Sequence, residues 1–417
     1  MTTNLWADNT PSSFWRFLTD PGSEQWQAAV KNASTILALR HQTSNIEELA
    51  ETVLGEGQFG ADHWRLSRVK QLYYQFVRPF LPSFLRPPLR RLLLSRQNQK
   101  SEDVLRWPIE DRFVRFQFEV VKNILDCGGL LEVPYIHFWP DGKRFAFVLT
   151  HDVEGVSGYE FIREVVALEE KYGFHSSFNF VPEAYQVDLR FIEELQERGF
   201  EVGVHGLKHD GKLFSSKEIF DERCKKINDY AKKWRAVGFR SPMTHRNPEW
   251  MQSLDIEYDL SFFDTDPYEP ISGGTMSIWP FCLGRFVELP YTLAQDHTLM
   301  VTLGEKTPRL WLEKVDFIKR YCGMALVNTH PDYLREGNHL SIYEEFLRQV
   351  QAQGEYWHAL PREVARWWRH RQSVSIESVS SPRNTDDGVV IGSIRRVHTP
   401  FGETTSGCPI ELVFSAL

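Results

Sequence analysis

From Phe145 onward the chain alternates short apolar runs with amphipathic stretches of helical length. Phe145 to Thr150, His175 to Val181, Phe200 to His205, Val237 to Ser241, Tyr258 to Phe263, Phe286 to Pro290 and Met324 to Thr329 have the length and composition of buried strands. Between them Tyr159 to Tyr172, Leu189 to Glu197, Ser215 to Trp234 and Arg309 to Tyr321 place apolar residues every three or four positions and predict helices. Ile342 to Gln353 and Arg362 to Arg371 extend the series. Alternation on this scale implies right-handed crossovers and a parallel sheet, closed or nearly closed.

The flanks follow other patterns. Pro21 to about Val77 is helical in periodicity, through Ile46, Leu49, Val53 and then Trp64, Leu66, Val69, Leu72, Tyr73 and Phe76. Gly55, Gly57 and Gly60 spell a dinucleotide fingerprint, but ELAETVL before them predicts helix where the fingerprint needs a strand. They therefore predict a helix cap and a loop. After Gln372 the runs SVSIESVSS, GVVIGSIRRV and IELVFSAL predict short strands. The expected organisation is a mainly helical region over 1–135, an α/β barrel over 136–372 and a β-rich tail over 373–417.

Metal-ligand and acid–base side chains stand where the apolar runs stop. His205 and His209 follow Phe200 to Val204; Asp152 and Glu154 follow Phe145 to Thr150; Arg240, then Asp264 and Asp266, then His330 recur in the same place. Parallel strands around one mouth gather such residues into a single site at their carboxyl ends. The histidine spacing alone carries little; its position in the chain carries more.

In order, the segments FAFVLTHDVEG, EVGVHGLKHDG, GFRSPMTHRNPEW, YDLSFFDTDPYEP and LVNTHPDYL resemble the motifs of NodB-type polysaccharide deacetylases, the fourth family of carbohydrate esterases. The likeness spans about residues 136 to 340. It implies a distorted (β/α)7 barrel that holds one divalent ion and hydrolyses N- or O-acetyl groups on sugars. The family's first motif is Thr-Phe-Asp-Asp-Gly; here Thr150-His151-Asp152-Val153-Glu154 puts valine where the ligand usually stands. Alternate strand residues share a face, so Asp152 and Glu154 both point into the site. Asp152 then reads as general base and Glu154 as ligand, with Asp152 binding the ion directly as the alternative.

The resemblance further implies that His205 and His209 are ligands and that Arg240 pairs with the base. It makes His330 the acid that protonates the departing amine or sugar oxygen. Asp264 and Asp266 approximate the fourth motif without its tryptophan, which makes Asp264 a catalytic candidate, and Asp-Thr-Asp-Pro reads equally as a turn. His245 and the pair Asp296-His297 are loop residues that read either as substrate contacts or as surface. Zinc is the first expectation for the ion, and two imidazoles with one carboxylate also accept nickel, cobalt or manganese. The expected partner is an acetylated sugar or glycan-assembly intermediate. Two alternatives stay open: an amidohydrolase of the same fold acting on a non-sugar C–N bond, and a non-catalytic glycan- or partner-binding barrel.

Composition narrows this only in part. At 417 residues with 42% hydrophobic residues the chain holds an ample core, and a formal charge of -8 gives no overall attraction to nucleic acid, so none is expected as a partner. The 13% aromatic share reads first as core packing. His63 to Ser101 contains no acid but holds Arg65, Arg68, Lys70, Arg78, Arg86, Arg90, Arg91, Arg96 and Lys100. That run reads as solvated helices or as a weak peripheral contact of residues 63–100 with an anionic membrane surface. Cys127, Cys224, Cys282, Cys322 and Cys408 are scattered and suggest reduced thiols. With no leader-like N-terminus and no apolar run approaching roughly 18 residues, the expected location is cytoplasmic.

Overall fold

The structure is a computed structural model, and it describes residues 4–40, 43, 45–60, 63–66, 105–376, 388–396 and 410–413. Most of the basic run, much of the tail and Cys408 lie outside the described residues, and so do the expectations attached to them. In chain order the strands are β1 (Glu132–Ile136), β2 (Phe145–Val153), β3 (Ser177–Phe180), β4 (Glu201–Val204), β5 (Gly238–Phe239), β6 (Tyr258–Asp259), β7 (Phe281–Leu283), β8 (Phe286–Glu288), β9 (Met324–Thr329), β10 (Tyr356–His358), β11 (Ile391–Arg396) and β12 (Ile410–Val413).

Parallel pairing runs in the spatial order β9, β2, β3, β4, β5, β6, β8. Between β8 and β9 the ladder gives way to two backbone bonds of 3.1 Å, from the N–H groups of Thr292 and Leu293 to the Leu326 carbonyl. The sheet is therefore curled into a distorted, incompletely closed (β/α)7 barrel. All nine residues of β2 are buried, as expected of a parallel strand covered on both faces. β2 is also the hub: β9 lies along one edge, while β10 and β3 share the other, at its start and end.

The helices alternate with these strands much as the periodicity predicts. Leu189–Glu197 is capped by Asp188, which accepts the Arg190 N–H at 3.0 Å, and Lys217–Trp234 by Ser216, which accepts the Ile219 N–H at 3.3 Å. Val156–Lys171 has Gly155 at its cap and no side chain of its own there. The Asp332 carboxylate, from the turn after β9, takes that role by accepting from Gly158 N at 2.9 Å and Ser157 Oγ at 2.7 Å. The expected strands at Val237 to Ser241 and Tyr258 to Phe263 shrink to two residues each, because the Ser241 N–H turns to the Ser261 hydroxyl at 2.8 Å. β7 and β10 were not predicted. β7 is the first arm of a hairpin with β8, turning at Gly284 (φ 56°), where a Cβ would lie 2.4 Å from Gln252 Oε1.

Helices Ser23–Ala33 and Arg112–Gly128 pack on one another, and the N-terminal region joins the barrel through aromatic side chains. Phe14 meets Trp279 at 4.9 Å between ring centroids, Trp15 meets Phe138 at 5.6 Å, and Phe118 meets Tyr321 at 5.4 Å. Arg371, fully buried, lies over Phe138 and donates to the Ile136 and His137 carbonyls. β11 pairs antiparallel with β1 and with β12, so the tail adds strands to the N-terminal side. Cys127, Cys224, Cys282 and Cys322 are free thiols. Among the described residues no helix is long and apolar enough to cross a membrane.

Candidate active site at the mouth of the barrel

Strand alternation sorts β2, β3 and β9 into an inner and an outer row. On the inner row Asp152 Oδ1 accepts from Asn179 Nδ2 at 3.0 Å and Arg240 Nη1 at 3.1 Å, while Oδ2 accepts from Asn328 Nδ2 at 2.8 Å. Arg240 also donates to Thr150 Oγ1 at 3.1 Å and to the Leu260 carbonyl at 2.9 Å. On the outer row His151 stacks on Phe178 at 4.6 Å and bridges Thr329 Oγ1 at 2.7 Å and Glu169 Oε1 at 2.8 Å. Burial alone would raise the Asp152 carboxyl, but Arg240, with His205 and His330 behind it, holds it well below the usual carboxylate range.

Next to this pair stands a donor group. Glu154, His205 and His209 each offer a ligand atom, and these atoms all lie within 4.8 Å of one another. His205 Nδ1 hydrogen-bonds the Arg240 carbonyl at 3.0 Å, which fixes Nδ1 as the protonated nitrogen and leaves Nε2 with its lone pair. That buried Nε2 has no partner among the described residues. Burial pushes the His205 pKa down to about 4, keeping the ring neutral. Glu154 Oε1 lies 3.0 Å from His209 Nε2. Burial opposes ionisation of Glu154, yet His209 beside it brings its pKa to about 2. Its backbone N–H is tied to Asp332 at 3.3 Å, so one carboxylate both caps the helix Val156–Lys171 and steadies the turn that carries Glu154. An ionised carboxylate, a neutral imidazole with an orphaned nitrogen and a second imidazole form a donor set suited to a divalent ion. Three protein ligands leave positions for water and substrate.

His330 completes the rim. Its Nδ1 and backbone N–H both meet the buried Asp296 carboxylate at 2.7 Å, and its Nε2 lies 3.7 Å from Glu154 Oε1 and 4.0 Å from Asp152 Oδ2. Burial would lower its pKa, but Asp296 outweighs that and pushes it up to about 10, so the ring is protonated at neutral pH.

The structure thus brings together Asp152, Glu154, His205, His209, Arg240 and His330. Asp264 is a correction. It sits five residues past the end of β6, its carboxylate 2.7 Å from Lys314 Nζ, and among the described residues no contact joins it to the group around Asp152. Asp266 takes the turn role, accepting the Tyr268 N–H at 2.7 Å and the Tyr291 hydroxyl at 3.2 Å. Asp296, read as a substrate contact or surface residue, is neither: it is fully buried and holds His330. His297 packs on Tyr333 at 5.1 Å. Asn179 and Asn328 were missed, and the signal for them is slight: one amide inside each of two apolar runs, SFNF and ALVNT.

No protein-family model matches the chain, and no curated protein does. Among solved structures, a Mycobacterium smegmatis protein assigned as a polysaccharide deacetylase is 18% identical at a TM-score of 0.47, over 57% of this chain and 94% of that one. An allantoinase is 14% identical at 0.45, over 57% and 94%. A family 4 acetyl xylan esterase from Clostridium thermocellum, in complex with a cobalt ion, is 13% identical at 0.38, over 53% and 91%.

Proposed function

We propose that this chain is a metal-dependent hydrolase that removes acetyl groups from an amino sugar or a glycan intermediate. The observation that carries the reading is the convergence of Glu154, His205 and His209 within 4.8 Å, beside the Asp152–Arg240 and His330–Asp296 pairs on one rim. The order of the five sequence motifs supports the sugar as substrate.

Glu154, His205 and His209 would hold the ion, with zinc first and nickel, cobalt or manganese admitted by the donor set. Held there, a divalent ion would supply Lewis acidity toward an acyl carbonyl and a water molecule. Asp152, kept ionised by Arg240, is placed to take the proton of an attacking water as general base. With both its oxygens fixed by Asn179, Arg240 and Asn328, it loses little orientation freedom on reaction. His330 carries a proton on Nε2, because Nδ1 is committed to Asp296, and gives it to the departing amine or alcohol. An amine leaves poorly unless protonated, so this donor matters most for N-acetyl substrates. The scattered thiols favour a cytoplasmic setting.

The test is metal analysis of the purified protein together with acetate release from a panel of N-acetylated sugars, O-acetylated sugars and non-sugar amides. About one ion per chain is expected, with acetate release that is lost on chelation and restored by zinc. Wild-type protein that binds no divalent ion, or that releases acetate equally well after Asp152→Asn, would end this reading.

A further inference from the structure

His245 is buried, 5% exposed, and its imidazole makes no hydrogen bond among the described residues; Nε2 in particular has no partner. A buried polar atom left without a partner is costly, and in a native protein it points to a ligand or a water. The segment that carries His245 is built to hold it. Pro242–Thr244 form a tight turn in which Met243 (φ 59°) and Thr244 (φ 54°) are both left-handed, a conformation that is strained for a β-branched residue such as Thr244.

Each neighbour of His245 is tied down. Thr244 Oγ1 donates to Glu269 Oε2 at 2.9 Å, and Glu269 in turn accepts from Gln295 at 2.8 Å. Arg246, fully buried, donates through Nε to Glu56 at 2.7 Å and through Nη1 to the Thr244 carbonyl at 2.7 Å. Its guanidinium lies over the Phe263 ring at 4.6 Å.

The same turn covers the loop of the candidate ligands. A Cβ on Gly206 would stand 2.6 Å from Pro242, and one on Gly211 would stand 3.1 Å from Met243 Sδ. His245 is not one of the donor group itself. Burial, with Arg246 and His209 adding to it, keeps the ring neutral, able to donate or accept one hydrogen bond.

We propose that His245 is the substrate-recognising side chain of this site, hydrogen-bonding a hydroxyl or carbonyl oxygen of the sugar whose acyl group is cleaved. Glu56, from the N-terminal region, is its positioning residue, acting through Arg246. The proposal rests on the deacetylase reading for the identity of the sugar, but its test is separable from that reading.

The experiment uses the full chain loaded with zinc, with N-acetylglucosamine as the probe in calorimetry and as the substrate for acetate release. His245→Phe should raise both Kd and KM about 3- to 10-fold, the loss of one hydrogen bond to a neutral group, with kcat falling by less than KM rises and zinc content unchanged. His245→Asn, which restores a donor and an acceptor, should recover part of the loss; Glu56→Gln should shift Kd in the same direction as His245→Phe. If wild type releases no acetate from any of the acetylated sugars in the panel yet binds N-acetylglucosamine more tightly than His245→Phe, the deacetylase reading fails and sugar recognition by His245 stands. Absence of binding by wild type, equal binding by both proteins, or loss of zinc in His245→Phe overturns the proposal.

Discussion

Replacing Arg240 with methionine tests whether the Asp152 carboxylate depends on that guanidinium. Arg240 is fully buried and donates to Asp152, Thr150, Asn328 and the Leu260 carbonyl. Methionine keeps much of the volume and removes every donor. Asp152, only 3% exposed, would then hold its charge on two neutral amides. Breaking a buried pair by deleting one partner costs about 3–5 kcal/mol, mostly because the remaining charge is stranded. Arg240→Met should lose that much stability. Asp152→Asn added to it should return about 1–3 kcal/mol, because it removes the stranded charge. The assay is equilibrium urea unfolding followed by tryptophan fluorescence, with a chelator present so that ion binding does not contribute. The sign of the pH dependence is fixed as well. A carboxyl held below its ordinary value of 3.8 contributes stability above that value and loses it as the pH falls, so the gap between wild type and Arg240→Met narrows on acidification. A single variant that costs less than about 1 kcal/mol, or a double variant no more stable than the single, would refute the reasoning.

Other expectations follow from the same geometry. His205→Ala should abolish stoichiometric ion binding in equilibrium dialysis, whereas Asp152→Asn should retain the ion and lower kcat about 10²- to 10⁴-fold. Asp332→Ala should weaken ion affinity about 10- to 100-fold by freeing the turn that carries Glu154, with a stability loss of about 1 kcal/mol for the lost helix cap. Glu201 is buried between the Tyr258 hydroxyl and the Arg362 N–H, and burial raises its pKa from 4.5 to about 7. The folded protein therefore holds a proton there that the unfolded chain releases, and stability falls as the pH rises from 4.5 to about 7. Glu201→Gln should be more stable than wild type in urea at pH 8 and close to it at pH 4, and a difference independent of pH would contradict the assignment.

The barrel was legible because burial writes itself into apolar runs of a set length, and β2, β3, β4, β8, β9 and the long helices between Phe145 and Thr329 fall within or on those runs. The cluster Asp152, Glu154, His205, His209, Arg240 and His330 was legible because each stands where a run stops. What escaped depends on pairing at a distance. Asn328 reaches Asp152 across 176 residues of chain, and Asp296 reaches His330 across 34, and neither leaves a local spacing. Asp264 misled for the converse reason: its sequence position fits a motif, but the coil after β6 carries it to Lys314. The short strands β7 and β10 hold three residues each, too few for any periodicity to register.

The two faces of β2 leave it no tolerance for slippage. One deleted residue ahead of Thr150 would put Asp152 in the outward place of His151, stranding the anion against the Phe178 ring and Glu169, and one added residue would set the His151 imidazole where Asp152 meets Arg240. The length of this strand cannot change, and lineages that alter this protein by insertion or deletion are expected to do so in the loops and never between Phe145 and Glu154.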